Sequence, residues 1–166
     1  PEIKSCHNIE WEDNYSWIHK KNILEVLRDK KKLFDEIKAR IKLDDESLHY
    51  KDHTYEYWTK TTTKGNYSIK LRKKIGSENI EEIWNGDKEK EKLKTEYFGV
   101  GDLEVSNNDK YLGYSVDIKG SEYYTIYLRD LRTGKNENDI IENTSGGITW
   151  SLDSKSFFYS KLDKFH

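Results

Sequence analysis

From His53 onward, apolar and polar residues follow one another with a period of two. Tyr55, Tyr57 and Thr59 alternate with Glu56, Trp58 and Lys60, the pattern of a strand with one face turned to water. The turn TTTKGN, with Gly65-Asn66, and a second alternating run over residues 67–74 complete a hairpin. NIEEIWNG offers another short strand, and a charged connection over residues 87–94 follows it. Four more strands then succeed one another, GDLEVS, KYLGYSVD, YYTIYLRDL and NDII, with SNND, IKGSE and RTGK as turns between them. They predict one antiparallel sheet over residues 103–141. After ENTSGG a further unit begins with GITWS and KSFFYSKLD.

That last unit repeats an earlier one. VSNNDKYLGYS, residues 105–115, returns as WSLDSKSFFYS, residues 150–160, at a constant offset of 45. Ser106, Asn108, Lys110, Leu112, Tyr114 and Ser115 become Ser151, Asp153, Lys155, Phe157, Tyr159 and Ser160. Tyr114 and Tyr159 are thereby expected at matching places, each at least partly buried. The first hairpin joins the series at an offset of 57, which sets Tyr57, Tyr67, Ile69, Leu71 and Arg72 against Tyr114, Tyr124, Ile126, Leu128 and Arg129. Repeats of this length, each an antiparallel sheet of about four strands, are the signature of propeller blades. A closed propeller needs about four blades or more, and the repeats here amount to about one and a half to two. The predicted fold class is therefore mainly β: a partial β-propeller with a helical N-terminal arm.

The arm occupies residues 1–52 in this reading, and the incomplete propeller residues 53–166. Ile23, Leu27, Phe34, Ile37 and Ile41 keep helical spacing across residues 22–43, with Lys30 in the missing slot and Val26 and Leu33 widening the stripe. The RDKKK interruption leaves open a helix break or an exposed turn of one long helix. The stripe is expected to pack on a core. Composition limits how large any core is. Charged residues, at 36%, outnumber hydrophobic ones, at 34%, near the polarity at which chains cease to fold. Aromatic residues, at 13% with twelve Tyr and five Trp, compensate, because each ring buries a large area.

HNIEWEDNYSW, residues 7–17, resembles the N-terminal signature of the prolyl oligopeptidase family, an Asp-x-Tyr-x-Trp box met here as Asp13, Tyr15 and Trp17. IKARIKLDDESLHY resembles the helix and acidic turn leading into that family's propeller. Residues 114–134 and 144–163 are similar to its oligopeptidase B (protease II) branch. The resemblance implies a serine peptidase that cleaves short peptides after Lys or Arg. A seven-bladed propeller would restrict access, and the N-terminal arm would pack on an α/β-hydrolase domain. It also places the Ser-Asp-His triad beyond the propeller, so no catalytic residue carries over and a substrate-binding set stays unknown. Two departures stand out. Ser106-Asn107-Asn108-Asp109 replaces the usual Ser-Pro-Asp-Gly turn, and the stretch between Leu27 and Lys32 is shortened.

Other candidate chemistry is weak. Ser145 in NTSGGI lacks the glycine that opens a Gly-x-Ser-x-Gly nucleophile elbow. Cys6-His7 pairs a thiol with a base, but adjacent side chains rarely face each other. His49, Asp52 and His53 match no zinc spacing, and Asp44, Asp45 and Glu46 lack the glycine of a calcium loop. Trp58, Trp84 and Trp150 are expected in the core rather than on a sugar or base. No cofactor and no metal are expected. The formal net charge of −2, from 29 basic and 31 acidic residues, argues against nucleic acid and anionic membranes. A single cysteine and the lack of a long apolar run point to the cytoplasm. The absence of methionine points to a trimmed chain or a piece of a longer one. The expected role is a non-catalytic gate or scaffold, with a peptide substrate met only in the full enzyme and a C-terminal α/β-hydrolase domain as partner. Two alternatives stay open: an interaction module that dimerises through exposed sheet edges, and assembly with a separately encoded remainder.

Overall fold

The computed structural model describes residues 2–14, 16 and 23–163. They fall into two compact units, residues 1–42 and 43–166. Among the described residues no helix is long and apolar enough to cross a membrane.

In the first unit, strands β1 (Glu2–Cys6) and β2 (Ile9–Asp13) form an antiparallel hairpin. His7 and Asn8 both take positive φ, 51° and 62°, the two-residue turn that follows strand twist and that Asn tolerates. Lys4 and Asp13 pair across the hairpin. Helix α1 (Ile23–Ala39) follows, and it runs through the RDKKK segment without a break. Tyr15 and Trp17 of the N-terminal box lie outside the described residues, as do the side chains of Ile23 and Leu27. Leu33, Phe34, Ile37 and Ile41 of the apolar stripe do not pack on a core as expected, for all four are exposed. A two-stranded hairpin offers too little surface to cover such a face.

The second unit is a series of antiparallel meanders. In the first sheet, β5 (Tyr55–Thr61), β6 (Ile69–Lys74) and β7 (Ile80–Asn85) lie side by side. Two short strands, β3 (Asp45–Glu46) and β4 (Tyr50–Asp52), pair with β5. This sheet thus begins before His53. The charged connection is a helix, α2 (Gly86–Leu93). Asn85 caps its N-terminus by accepting from Lys88 N at 3.2 Å, and acids occupy the first turn and bases the last, the order that the helix dipole favours. The second sheet is a complete four-stranded meander of β8 (Gly99–Val105), β9 (Tyr111–Asp117), β10 (Tyr124–Asp130) and β11 (Lys135–Thr144). A third sheet starts with β12 (Thr149–Trp150) and β13 (Phe157–Phe158).

The repeat of 45 is reproduced atom by atom in the turns. Ser106 Oγ donates to Asn108 Oδ1 at 2.8 Å and accepts from Tyr111 N at 2.9 Å. Ser151 Oγ donates to Asp153 Oδ1 at 2.7 Å and accepts from Ser156 N at 3.1 Å. Asp109 and Ser154 close the two turns with φ of 60° and 58°. Beyond the turn the likeness fades: Tyr159 follows the end of β13 and is 42% exposed, whereas Tyr114 is 2% exposed. The offset of 57 matches residues but not register, since Arg72 lies opposite Tyr57 while Arg129 lies opposite Leu112.

The core sits between the sheets. Trp84 from the first sheet and Leu112, Tyr114 and Val116 from β9 form one buried cluster with Phe98. Tyr57 and Trp58 are adjacent yet both buried, so β5 is covered on both faces rather than half exposed. Tyr57 reaches Asp109 of the second sheet, and His49 stacks over Trp58.

Asp117 closes the β9–β10 turn. Its carboxylate accepts from the backbone N–H groups of Lys119 at 2.8 Å, Gly120 at 3.0 Å and Glu122 at 2.8 Å. Burial disfavours the charge, but these donors overcome it and hold the carboxyl below its ordinary range. A depressed folded value contributes stability above the unfolded value, near pH 4, and loses it as pH falls through the folded one. Asp117→Ala is therefore expected to cost about 1–3 kcal/mol at pH 7. The deficit should shrink toward pH 3 in urea titrations.

Candidate functional site

The first strands of successive sheets converge, so their turns touch. Thr54 Oγ1 and Tyr57 OH donate to the Asp109 carboxylate at 2.6 and 3.0 Å, and Arg72 Nη1 donates to the Asp109 carbonyl at 2.7 Å. On the far side, Asn107 Nδ2 donates to the Ser151 carbonyl at 2.9 Å, and Ser154 Oγ accepts from Asn108 N at 3.0 Å. Asp102 Oδ2 accepts from Ile148 N at 2.9 Å, and Trp150 Nε1 donates to the Glu104 carbonyl at 3.0 Å. The turn of residues 106–109 is thus tied to the sheet before it and the sheet after it.

Carboxylates gather along these converging strands. Burial, then Asp102 and Asp52, push the Glu104 carboxyl upward, with Lys70 opposing. Burial, then Glu104 and Asp52, raise the Tyr50 phenol. Burial lowers the Lys70 ammonium against the pull of Glu104, Asp102 and Asp52, while its Nζ donates to the Leu103 carbonyl at 2.9 Å. Three acids and one base therefore share a field of net negative sign.

A second feature is a cleft of about 900 Å³ between the first and second sheets. Its wall is a buried ion pair, Arg129 Nη2 to Glu89 Oε2 at 2.9 Å. Lys92 Nζ reaches the other Glu89 oxygen at 2.8 Å. Arg129 also donates to Tyr114 OH at 3.3 Å and to Asn136 Oδ1 at 3.0 Å. Asn136 Nδ2 donates to the same phenol at 2.7 Å. Burial pushes the Tyr114 phenol up to about 12, with the Arg129 charge opposing. Glu89 lies on α2, inside the KEKEK run that reads as a solvated face in sequence. Arg72 and Arg129 carried the better signal, because the repeat alignment sets them at equivalent places.

The sequence candidates land elsewhere. Ser145 is exposed beyond β11, and its N–H donates to the Ser160 carbonyl at 3.0 Å. Cys6 is exposed at the end of β1, and His7 begins the hairpin turn. His49 stacks on Trp58 with ring centroids 4.3 Å apart, and His53 Nδ1 lies 2.9 Å from Asp52. Asp44 Oδ1 accepts from Thr63 N at 2.9 Å, and Glu46 pairs with Lys60 at 3.0 Å. Among the described residues no group of three or more His, Cys, Asp or Glu side chains is placed to hold a metal ion. Trp58 and Trp84 are core residues, whereas Trp150 is half-buried against Phe157.

Comparison with known proteins agrees with this geometry. The family model described as the prolyl oligopeptidase N-terminal β-propeller domain matches residues 10–166. Dipeptidyl aminopeptidase BI of Pseudoxanthomonas mexicana is 28% identical over 195 residues, covering 97% of this chain and 27% of the relative. Oligopeptidase B of Leishmania major superposes with a TM-score of 0.72 at 25% identity, over 93% of this chain and 25% of the other. Oligopeptidase B of Trypanosoma brucei gives a TM-score of 0.73 at 23% identity, over 92% and 22%. The chain spans about a quarter of the length of these relatives.

Two substitutions test the electrostatics. Arg129→Ala leaves Glu89 buried with only Lys92 as counter-ion and is expected to cost about 3–5 kcal/mol. Replacing both residues by Met should cost less than the two single changes together, as a double-mutant cycle in urea reads directly. Glu104 has the opposite sign to Asp117: its raised folded value favours the native state at low pH, and that advantage disappears as pH rises through it. Glu104→Gln should therefore raise stability at pH 8 by a few tenths of a kcal/mol, after allowing for solvent screening. It should change little at pH 4.

Proposed function

The chain belongs to the prolyl oligopeptidase family, as part of its N-terminal β-propeller domain, and we propose that it forms the opening blades of a propeller that gates a serine peptidase. The observation that carries this is the turn-to-turn chain of hydrogen bonds, from Thr54 and Tyr57 to Asp109 and from Asn107 and Asn108 of the same turn to Ser151 and Ser154. Such a link joins each blade to the next and is of use only where blades follow one another around an axis. The blades would act by size exclusion and by docking to a C-terminal α/β-hydrolase domain, which supplies nucleophile and oxyanion donors. The segment itself takes no catalytic part.

Cleavage after Lys or Arg is the specificity we assign to the full enzyme. The likeness to oligopeptidase B supports it, as does the acidic field of Asp52, Asp102 and Glu104, which would draw basic peptides along the converging strands. The exposed free thiol of Cys6 fits a reducing cytoplasm. One alternative is favoured by a specific observation: Phe158 is 68% exposed on β13, a strand with one described neighbour, and such an edge can pair with a second copy.

The isolated chain is expected to release no fluorophore from an Arg-amide substrate and to take no label from a serine-directed phosphonate. Turnover that copurifies with the chain, with labelling of any serine, would overturn the gating role. In light scattering, a dimer lost on truncation before Ser154 would favour the edge-pairing alternative.

A further inference from the structure

The cleft between the first two blades is bordered by Thr54, Arg72 and Asp109, whose bonds join those blades. Seven basic and four acidic side chains line it, in a chain whose formal net charge is −2. Part of this charge is neutralised in place. Lys88 pairs with Glu82 at 2.6 Å, Lys92 and Arg129 share Glu89, and Arg132 pairs with Asp130 at 3.3 Å. The Arg72 guanidinium is fixed by Glu81 at 2.7 Å, by the Asp109 carbonyl at 2.7 Å, and by the Tyr55 ring, 4.1 Å from its centroid. Lys74 and Lys110 differ. Both line the cleft and are exposed, and neither has a carboxylate partner among the described residues. Asp109, the neighbour that would otherwise neutralise Lys110, turns its carboxylate onto Thr54 and Tyr57.

We propose that this cleft binds a small multivalent oxyanion, a phosphate- or carboxylate-bearing compound, on Lys74 and Lys110. Two movable ammonium groups supply charge-assisted hydrogen bonds. Lys74 is the last residue of β6 in the first blade, and Lys110 directly precedes β9 in the second. An anion held by both therefore bridges the blades and stabilises their contact by linkage. A multivalent anion offers each ammonium a charged oxygen, so it is expected to bind more tightly than a monovalent one.

The test is titration of the whole chain with pyrophosphate and, separately, with citrate, against sodium chloride at matched ionic strength. Thermal unfolding and calorimetry provide the readouts. At least one of the two anions is expected to bind saturably and raise the unfolding temperature beyond the chloride control; which one does identifies the acid group. Lys74→Ala with Lys110→Ala should weaken that binding about tenfold or more, while unfolding in chloride stays unchanged because both side chains are exposed. Lys64→Ala with Lys155→Ala removes the same charge outside the cleft and should leave binding intact. The single change Lys74→Glu gives an independent check, because it should abolish binding in a chain that still unfolds cooperatively. Stabilisation no greater than in chloride, or equal weakening in both double variants, would overturn the proposal.

Discussion

Strand β9 has neighbours on both of its faces. Residues 112–117 are all buried, although side chains on a strand point alternately to opposite sides. A four-stranded sheet cannot bury both faces by itself, so a second sheet must lie against each one. The rest of the second unit serves that constraint. Trp84 comes from the preceding sheet to pack on Tyr114, with ring centroids 4.7 Å apart, and Ile148 comes from the following sheet to cover Gly113. Gly113 is the residue that allows this approach: a Cβ there would come within 3.3 Å of Ile148.

Stacking apolar faces does not set their order or angle. The polar turns do, because hydrogen bonds are directional where apolar burial is not. Ser106 bonds within its own turn and so holds Asn107, Asn108 and Asp109 in the conformation that reaches both neighbours. The positive φ of Asp109 and the Ser106 hydroxyl shape the loop. The Arg129–Glu89 pair works on the outer part of the same contact, where it joins α2 to β10 through two buried charges. Its desolvation cost is offset only because Lys92, Tyr114 and Asn136 complete the network.

Charge is divided between two places. Asp52, Asp102 and Glu104 gather near the strands that converge, while the basic excess lies in the cleft lined by Arg72, Lys74 and Lys110. Net charge conceals both, because a near-neutral total says nothing of distribution. Gating and anion binding would therefore draw on separate parts of one blade contact, and a change in Lys110 need not disturb the acidic field.

Strands β1 to β4 were not legible in the sequence, whereas the strands from β5 onward, their turns and the repeat of 45 were, because period-two alternation and turn chemistry are local properties. So was the core role of Trp58 and Trp84. Helix α2 was missed, although Asn85 and the order of acids before bases announced it; the high charge density masked a weak local signal. What tertiary structure alone decided was which residues meet. Glu89 and Arg129 are forty positions apart and come together only when α2 folds against β10. Asp109 finds Thr54 and Tyr57 only across a sheet boundary. The alternation of β5 predicted one wet face, and His49 stacks over Trp58 on it. The register of the first hairpin against the second was likewise settled by pairing, not by residue likeness. Local patterns specify what each strand can present; only packing between blades specifies what it is presented to, because those contacts join residues that no local pattern connects.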